Sequence, residues 1–168
     1  MIYYLSMGSN LGNRRRNLEK GIRHLGAQGR IGPVSSLYRT RPQGMPSGTP
    51  DFFNLALRLD SGLEPMQLLQ WIKVIEALMG RGLRPGPPRS RCLDADILLA
   101  GHRVHNTAEL TIPHPRMTRR AFVLVPLAEI APQMVHPVLG LKIIELLTRL
   151  DDQDGILRID NPPAKPGV

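Results

Sequence analysis

Apolar and polar positions along this chain switch between two periods. Ile2 to Met7 is a short apolar run that reads as a buried strand, ending at Gly8-Ser9-Asn10. Leu11, Leu18, Ile22 and Leu25 then fall on one helical face, and Arg14, Arg15, Arg16, Lys20 and Arg23 occupy much of the other. Ser9 or Asn10 is placed to cap this helix and Gly26 or Gly29 to end it, leaving the arginine run as a solvated face. Val34 to Thr40 reads as the second strand, followed by an irregular Pro- and Gly-rich loop from Arg41 to Pro50. Phe52 to Leu59 alternates, with Phe53, Leu55, Leu57 and Leu59 toward a core and Phe52, Asn54, Ala56 and Arg58 away from it. A second helix opens near Glu64-Pro65, carries Leu68, Leu69, Ile72, Ile75 and Met79 as its stripe, and closes at Gly80. Trp71 reads as a half-buried packing residue.

The loop from Arg81 to Arg91 holds four arginines and no apolar period. It runs into Leu93-Asp94-Ala95-Asp96-Ile97-Leu98-Leu99, a strand with Leu93, Ala95, Ile97 and Leu99 on one face and Asp94 and Asp96 on the other. Beyond it lie a turn at Gly101-His102, a short strand at Arg103-Val104, an extended stretch from Thr111 to Arg116 and an ordered segment from Arg119. A short helix is expected over Val125 to Ile130. A last amphipathic helix is marked by Leu141, Ile144 and Leu147, and a final strand by Ile156 to Ile159.

The opening order β-α-β-β-α-β predicts an α+β class, ferredoxin-like antiparallel sheet with helices packed on one face, extended by C-terminal elements. One domain is expected over residues 1–160, with 161–168 a Pro-rich disordered tail. The first and fourth strands are expected at the centre, which would bring Gly8-Ser9-Asn10 beside Asp94 and Asp96.

Two carboxylates two residues apart on a strand stand about 6.5 Å apart between α-carbons. They repel unless cations intervene, and a pair of oxygen-preferring ions such as Mg²⁺ suits them. Arg89 and Arg91 precede them as partners for phosphate oxygens, and the Arg81–Arg91 loop is a candidate lid over a polyphosphate. The Gly-Ser turn before the first helix also offers backbone N–H groups to an anion. Phe52 beside Asn54 suggests a cradle for a flat heterocycle.

Composition narrows the partners. A chain of 168 residues suggests a single core, and its one cysteine, Cys92, rules out an intrachain disulfide and makes a reducing cytoplasm the default. No apolar run approaches the ~20 residues of a membrane span, and no secretory signal is visible. A net charge of +8 suits an anionic partner, but 4% aromatic residues leave few platforms for stacked bases.

Six motifs in order carry a family resemblance: Gly8-Ser9-Asn10-Leu11-Gly12, Ser35-Ser36-Leu37-Tyr38-Arg39-Thr40, Asp51-Phe52-Phe53-Asn54, Arg91-Cys92-Leu93-Asp94-Ala95-Asp96, Ile112-Pro113-His114 and Arg120-Ala121-Phe122. Together they resemble the 6-hydroxymethyl-7,8-dihydropterin pyrophosphokinases of folate biosynthesis over roughly Met1 to Leu150. The resemblance implies transfer of the β,γ-diphosphate of ATP to the pterin hydroxymethyl group, releasing AMP, with two Mg²⁺ ions on Asp94 and Asp96. It implies catalytic roles for Arg81, Arg91, Asp94 and Asp96. It implies a pterin slot of Thr40, Gln43, Phe52, Asn54 and Phe122, and nucleotide contacts from Glu76, Arg81, Arg91, Ile97, Thr111, His114 and Arg120. The expected protein is a cytoplasmic monomer acting on two small molecules, with no nucleic-acid or membrane partner. Some positions depart from the family pattern. Pro88 stands where some members carry a Trp lid, Phe52 where some carry Tyr, and Glu109 where some carry a basic phosphate contact.

Two other readings share features of the chain. A nucleotidyltransferase also pairs a Gly-Ser turn with an Asp-x-Asp strand, but there the motifs lie close in sequence. A basic RNA-binding module on a ferredoxin-like sheet would need aromatic residues on its central strands and steeply salt-dependent binding.

Overall fold

The computed structural model describes residues 1–42, 44, 46–80, 90–151 and 155–163. Its main sheet is antiparallel throughout. Strand β1 (Ile2–Ser9) lies between β5 (Asp94–Ala100) and β4 (Phe52–Ser61), and β4 continues through β3 (Leu37–Thr40) to β8 (Ile156–Asp160). Strand β2 (Gly29–Val34) pairs with the other end of β4. The β-α-β-β-α-β order is therefore present, but its first and third strands are central. The aspartate strand is an edge of the sheet, not a central strand as expected. Its predicted neighbour is nevertheless correct: Gly8 pairs with Asp94 and Ser6 with Asp96.

Helices α1 (Arg14–Gly26) and α2 (Pro65–Leu78) cover one face. Leu18, Ile22, Leu25, Leu68, Ile72 and Ile75 meet Tyr3, Leu5, Met7, Leu55, Leu57 and Leu59 there in one continuous core. Gly21 permits the close approach of α1. A Cβ on it would stand 2.6 Å from the Met7 side chain and 3.0 Å from Leu93. The cap of α1 is Asn13, whose side chain accepts from Arg16 N at 3.0 Å, and neither Ser9 nor Asn10 does this work. The arginine face is also less solvated than its composition suggests. Arg14 donates to Asp51 O at 2.8 Å and lies 3.9 Å from the Phe53 ring centre.

The C-terminal extension packs on the opposite face. Helix α3 (Ala121–Ile130) and helix α4 (Ile143–Thr148) bury Val123, Leu124, Leu127, Ile143 and Leu146 against Ala56, Leu98 and Leu99. Leu99 was expected beside Ile97 on the α1/α2 side. Leu5 pairs with Ile97 but Tyr4 with Leu99, so Leu98 is a bulge that turns Leu99 over. Helix α3 also begins four residues before the expected Val125 and carries Pro126 inside it. On α4 the buried positions are Ile143 and Leu146, while Ile144 is exposed. The expected Arg103-Val104 strand is displaced to β6 (His105–Asn106), paired with β7 (Thr111–Ile112).

The expected single strand from Val34 to Thr40 is split at Ser35-Ser36. Glu129 of α3 reaches this break and accepts from Ser36 N, Ser36 Oγ at 2.8 Å and Tyr38 Oη at 2.8 Å. Burial, helped by the Glu129 carboxylate, pushes the Tyr38 phenol up to about 12. Arg158 of β8 donates to Ser36 Oγ at 2.9 Å, so one carboxylate ties the break, α3 and the last strand together. No helix among the described residues is long and apolar enough to cross a membrane. Residues 164–168 of the expected tail lie outside the described residues.

Candidate active site

At one end of the sheet the C-terminal helices leave its second face open. Ser6 and Gly8 of β1 point there, flanked by Asp94 and Asp96 on one side and Asn54 on the other. These residues, with Arg91, Arg120, Phe52, Phe122 and Thr40, line a cavity of about 450 Å³. The predicted alternation of β4 and β5 is what delivers Asn54 and the two aspartates to the same face.

The neutral wall is preformed. Asn54 Nδ2 donates to Thr40 Oγ1 at 2.6 Å, and both residues are buried. A Cβ on Gly8 would stand 2.7 Å from Asn54 Oδ1 and 3.5 Å from the Phe52 ring. Glycine at position 8 therefore keeps the Asn54 amide in place between the strands. Phe52 and Phe122 face the same space from β4 and α3.

The charged wall is held differently. Arg91 Nη1 lies 2.7 Å from Asp94 Oδ1, and His114 Nε2 lies 3.8 Å from Asp96 Oδ2, too far for a hydrogen bond. His114 Nδ1 accepts from Arg116 N at 3.1 Å, so the ring proton belongs on Nε2, toward Asp96. Burial holds the His114 imidazole below its usual range. Asp96 pulls the other way, and the Arg120 and Arg116 charges add to the lowering. Arg120 is likewise lowered, first by burial and then by Arg116, and its guanidinium lies 5.4 Å from the Phe122 ring centre.

Asn10 joins the two walls. Its Oδ1 accepts from Arg91 N at 2.7 Å, its own N donates to Arg91 O at 3.1 Å, and its Nδ2 reaches Ser90 Oγ at 3.2 Å and Pro50 O at 3.4 Å. The Ser9 and Asn10 side chains are both buried, with Ser9 Oγ accepting from Asn17. The Asn10 N–H and the Ser9 and Asn10 side chains are thus committed to protein contacts. The turn before α1 works as a clamp on the segments leading into Asp94 and into Phe52.

Several residues expected at the nucleotide lie off the cavity wall. Glu76 is buried on α2 behind β5, where Oε1 accepts from Ala95 N at 3.2 Å and Oε2 lies 3.4 Å from Lys73 Nζ. It braces the strand between the two aspartates from the far side. Ile97 belongs to the apolar core, and Thr111 on β7 bonds Asn106 at 3.3 Å. Gln43, Arg81, Pro88 and Arg89 lie outside the described residues. Arg41 and Arg116 line the cavity without having been anticipated. Arg116 carried a signal in the basic residue directly after Pro113-His114-Pro115, which read only as an extended segment.

Two acidic side chains facing a cavity, partly exposed and flanked by arginines, fit a hard divalent ion that keeps most of its ligands as water and phosphate oxygen. Among the described residues no group of three or more His, Cys, Asp or Glu side chains forms a protein-only cage.

A family model for 7,8-dihydro-6-hydroxymethylpterin-pyrophosphokinase matches residues 4–132. The Synechocystis 2-amino-4-hydroxy-6-hydroxymethyldihydropteridine pyrophosphokinase is 42% identical over 149 residues, 88% of this chain and 75% of that protein. The Porphyromonas gingivalis protein of the same name is 39% identical over 81% of this chain and 94% of its own length. This chain spans only 20% of the Pneumocystis carinii folic acid synthesis protein, to which it is 38% identical over 90% of its own length. It is similar in fold to the crystallised Plasmodium falciparum HPPK-DHPS chain with pteroate, with a TM-score of 0.74 and 18% identity over 94% of this chain and 47% of that one. The chain belongs to the 7,8-dihydro-6-hydroxymethylpterin pyrophosphokinase family.

Proposed function

We propose that this protein transfers the β,γ-diphosphate of ATP to the hydroxymethyl oxygen of 6-hydroxymethyl-7,8-dihydropterin, releasing AMP. The observation that carries this reading is the shared cavity, with Asp94 and Asp96 on one side of Ser6 and Gly8 and the Asn54–Thr40 pair on the other. A buried amide beside two phenyl rings suits the edge and faces of a pterin, and carboxylates with arginines suit metal-bound phosphates.

Asn54 would orient the ring edge, already held by Thr40, and Phe52 and Phe122 would cover the ring faces and exclude water. This aims the hydroxymethyl group across β1 toward the charged wall. Alignment of that kind supplies much of the catalysis in phosphoryl-type transfer, because little covalent chemistry falls to the protein. Arg91 and Arg120 would neutralise phosphate oxygens, Arg91 by dividing its contacts between Asp94 and the nucleotide. Asp94 and Asp96 would hold two Mg²⁺ ions. When bound, such ions supply charge neutralisation on the phosphates and ease deprotonation of the attacking hydroxyl. Arg81 would add a further contact to the nucleotide phosphates. We place the reaction in the cytoplasm, carried out by a monomer.

The test is AMP formation from Mg-ATP with and without the pterin. AMP that depends on pterin supports the reading, and release of inorganic diphosphate in its place would point to nucleotidyl transfer. Folded protein that binds neither pterin nor nucleotide would overturn it.

A further inference from the structure

Arg116 lies between β7 and the short 3-10 helix at Met117–Arg119, and its exposed side chain lines the same cavity as the two aspartates. Its backbone N–H is committed to His114 Nδ1 at 3.1 Å, which anchors the stem from which the side chain extends. Its guanidinium makes no hydrogen bond or ion pair among the described residues. The neighbouring cations differ. Arg91 is engaged by Asp94 at 2.7 Å, and Arg120 is half-buried near Phe122.

The charges around this cavity do not balance. Among the described residues Arg41, Arg91, Arg116 and Arg120 face it, while the acidic residues on its wall are Asp94 and Asp96. Cations converging from one short segment on a partly desolvated space are unfavourable until an anion arrives with enough charge to satisfy them. A polyphosphate does so, whereas the neutral pterin does not.

We propose that Arg116 binds the phosphate chain of the nucleotide directly and so contributes to preference for ATP over AMP. The proposal rests on the function proposed above. It assigns Arg116 a role that Glu109, acidic and exposed, cannot fill. Bidentate guanidinium geometry makes arginine better suited to this contact than lysine.

The test is calorimetric titration of the wild-type protein and Arg116→Ala with the Mg²⁺ complex of α,β-methylene-ATP, and separately with AMP. The expected result is a roughly tenfold weakening for the triphosphate analogue, as for loss of one charge-assisted hydrogen bond, with AMP affinity unchanged. Arg116→Lys should lie between the two. In turnover, KM for ATP should rise while KM for pterin stays the same. An unchanged melting temperature and pterin affinity would show that Arg116→Ala is folded. Unchanged affinity for the analogue, or equal weakening for the analogue and AMP, would overturn the proposal. A wild-type protein that binds the analogue but makes no pterin-dependent AMP would defeat the proposed reaction, while the same binding comparison would still decide the role of Arg116.

Discussion

On one side of the cavity Asn54 and Thr40 are buried, neutral and bonded to each other at 2.6 Å; on the other Asp94 and Asp96 are partly exposed and lean on Arg91 and His114. The first wall is complete in the protein alone, because its buried polar groups have found partners within it. The second sets carboxylates beside guanidinium groups, with Arg91 paired to Asp94, at the edge of the open cavity. A rigid neutral wall can orient a flat ring, while a charged wall can answer the changing charge of a polyphosphate. Strand β1 joins them through its pairing with β4 and β5, and Asn10 adds side-chain bonds toward both Arg91 and Pro50.

The largest effect should come from the charged wall. Asp96→Ala is expected to lower pterin-dependent AMP formation roughly a thousandfold while leaving pterin affinity without nucleotide intact. Activity within tenfold of wild type would remove Asp96 from the metal site. On the neutral wall, Asn54→Ala should weaken pterin binding by about 10–100-fold and leave affinity for an ATP analogue unchanged. Loss of both affinities together would show that the walls are not separate.

Asn10→Ala should lower the unfolding free energy by about 1–3 kcal/mol, because the Arg91 N–H loses its acceptor. It should also raise KM for both substrates by modest, similar factors. A change confined to one substrate would confine the clamp to one wall. The smallest effect concerns His136, away from the cavity, whose Nδ1 accepts from Val138 N at 3.4 Å and Leu139 N at 3.2 Å. Burial holds its imidazole below the usual range, and His114 is lowered too. The unfolded chain then binds more protons than the folded one below about pH 6.5. Stability should therefore be full above that pH and fall as pH drops toward the lowered folded values. His136→Gln should make melting temperature less dependent on pH across this window, and an unaltered dependence would show that His136 does not contribute.

Local alternation gave Asn54, Asp94 and Asp96 their correct faces because a strand of period two leaves each side chain only two choices. The same rule failed at Leu99, where the Leu98 bulge is set by pairing with β1, and at Ser35-Ser36, where Glu129 from 93 residues away occupies the break. Helix α1 was legible from its stripe. Its cap was not, because Ser9, Asn10 and Asn13 are all able to cap and only the tertiary structure consumes the first two elsewhere.

By itself, then, the sequence determined the order of the main strands and of the first two helices, the faces of Asn54, Asp94 and Asp96, and the motif set that carries the family resemblance. These follow from local periodicity and from the order of residues along the chain. Tertiary structure alone decided that β5 lies at an edge, that Glu76 braces it from behind, and that Arg116 stands beside Arg120 on the cavity wall. Each of those depends on contacts between segments distant in sequence. Their geometry is set by which surfaces pack together, and no local pattern of polar and apolar residues encodes it.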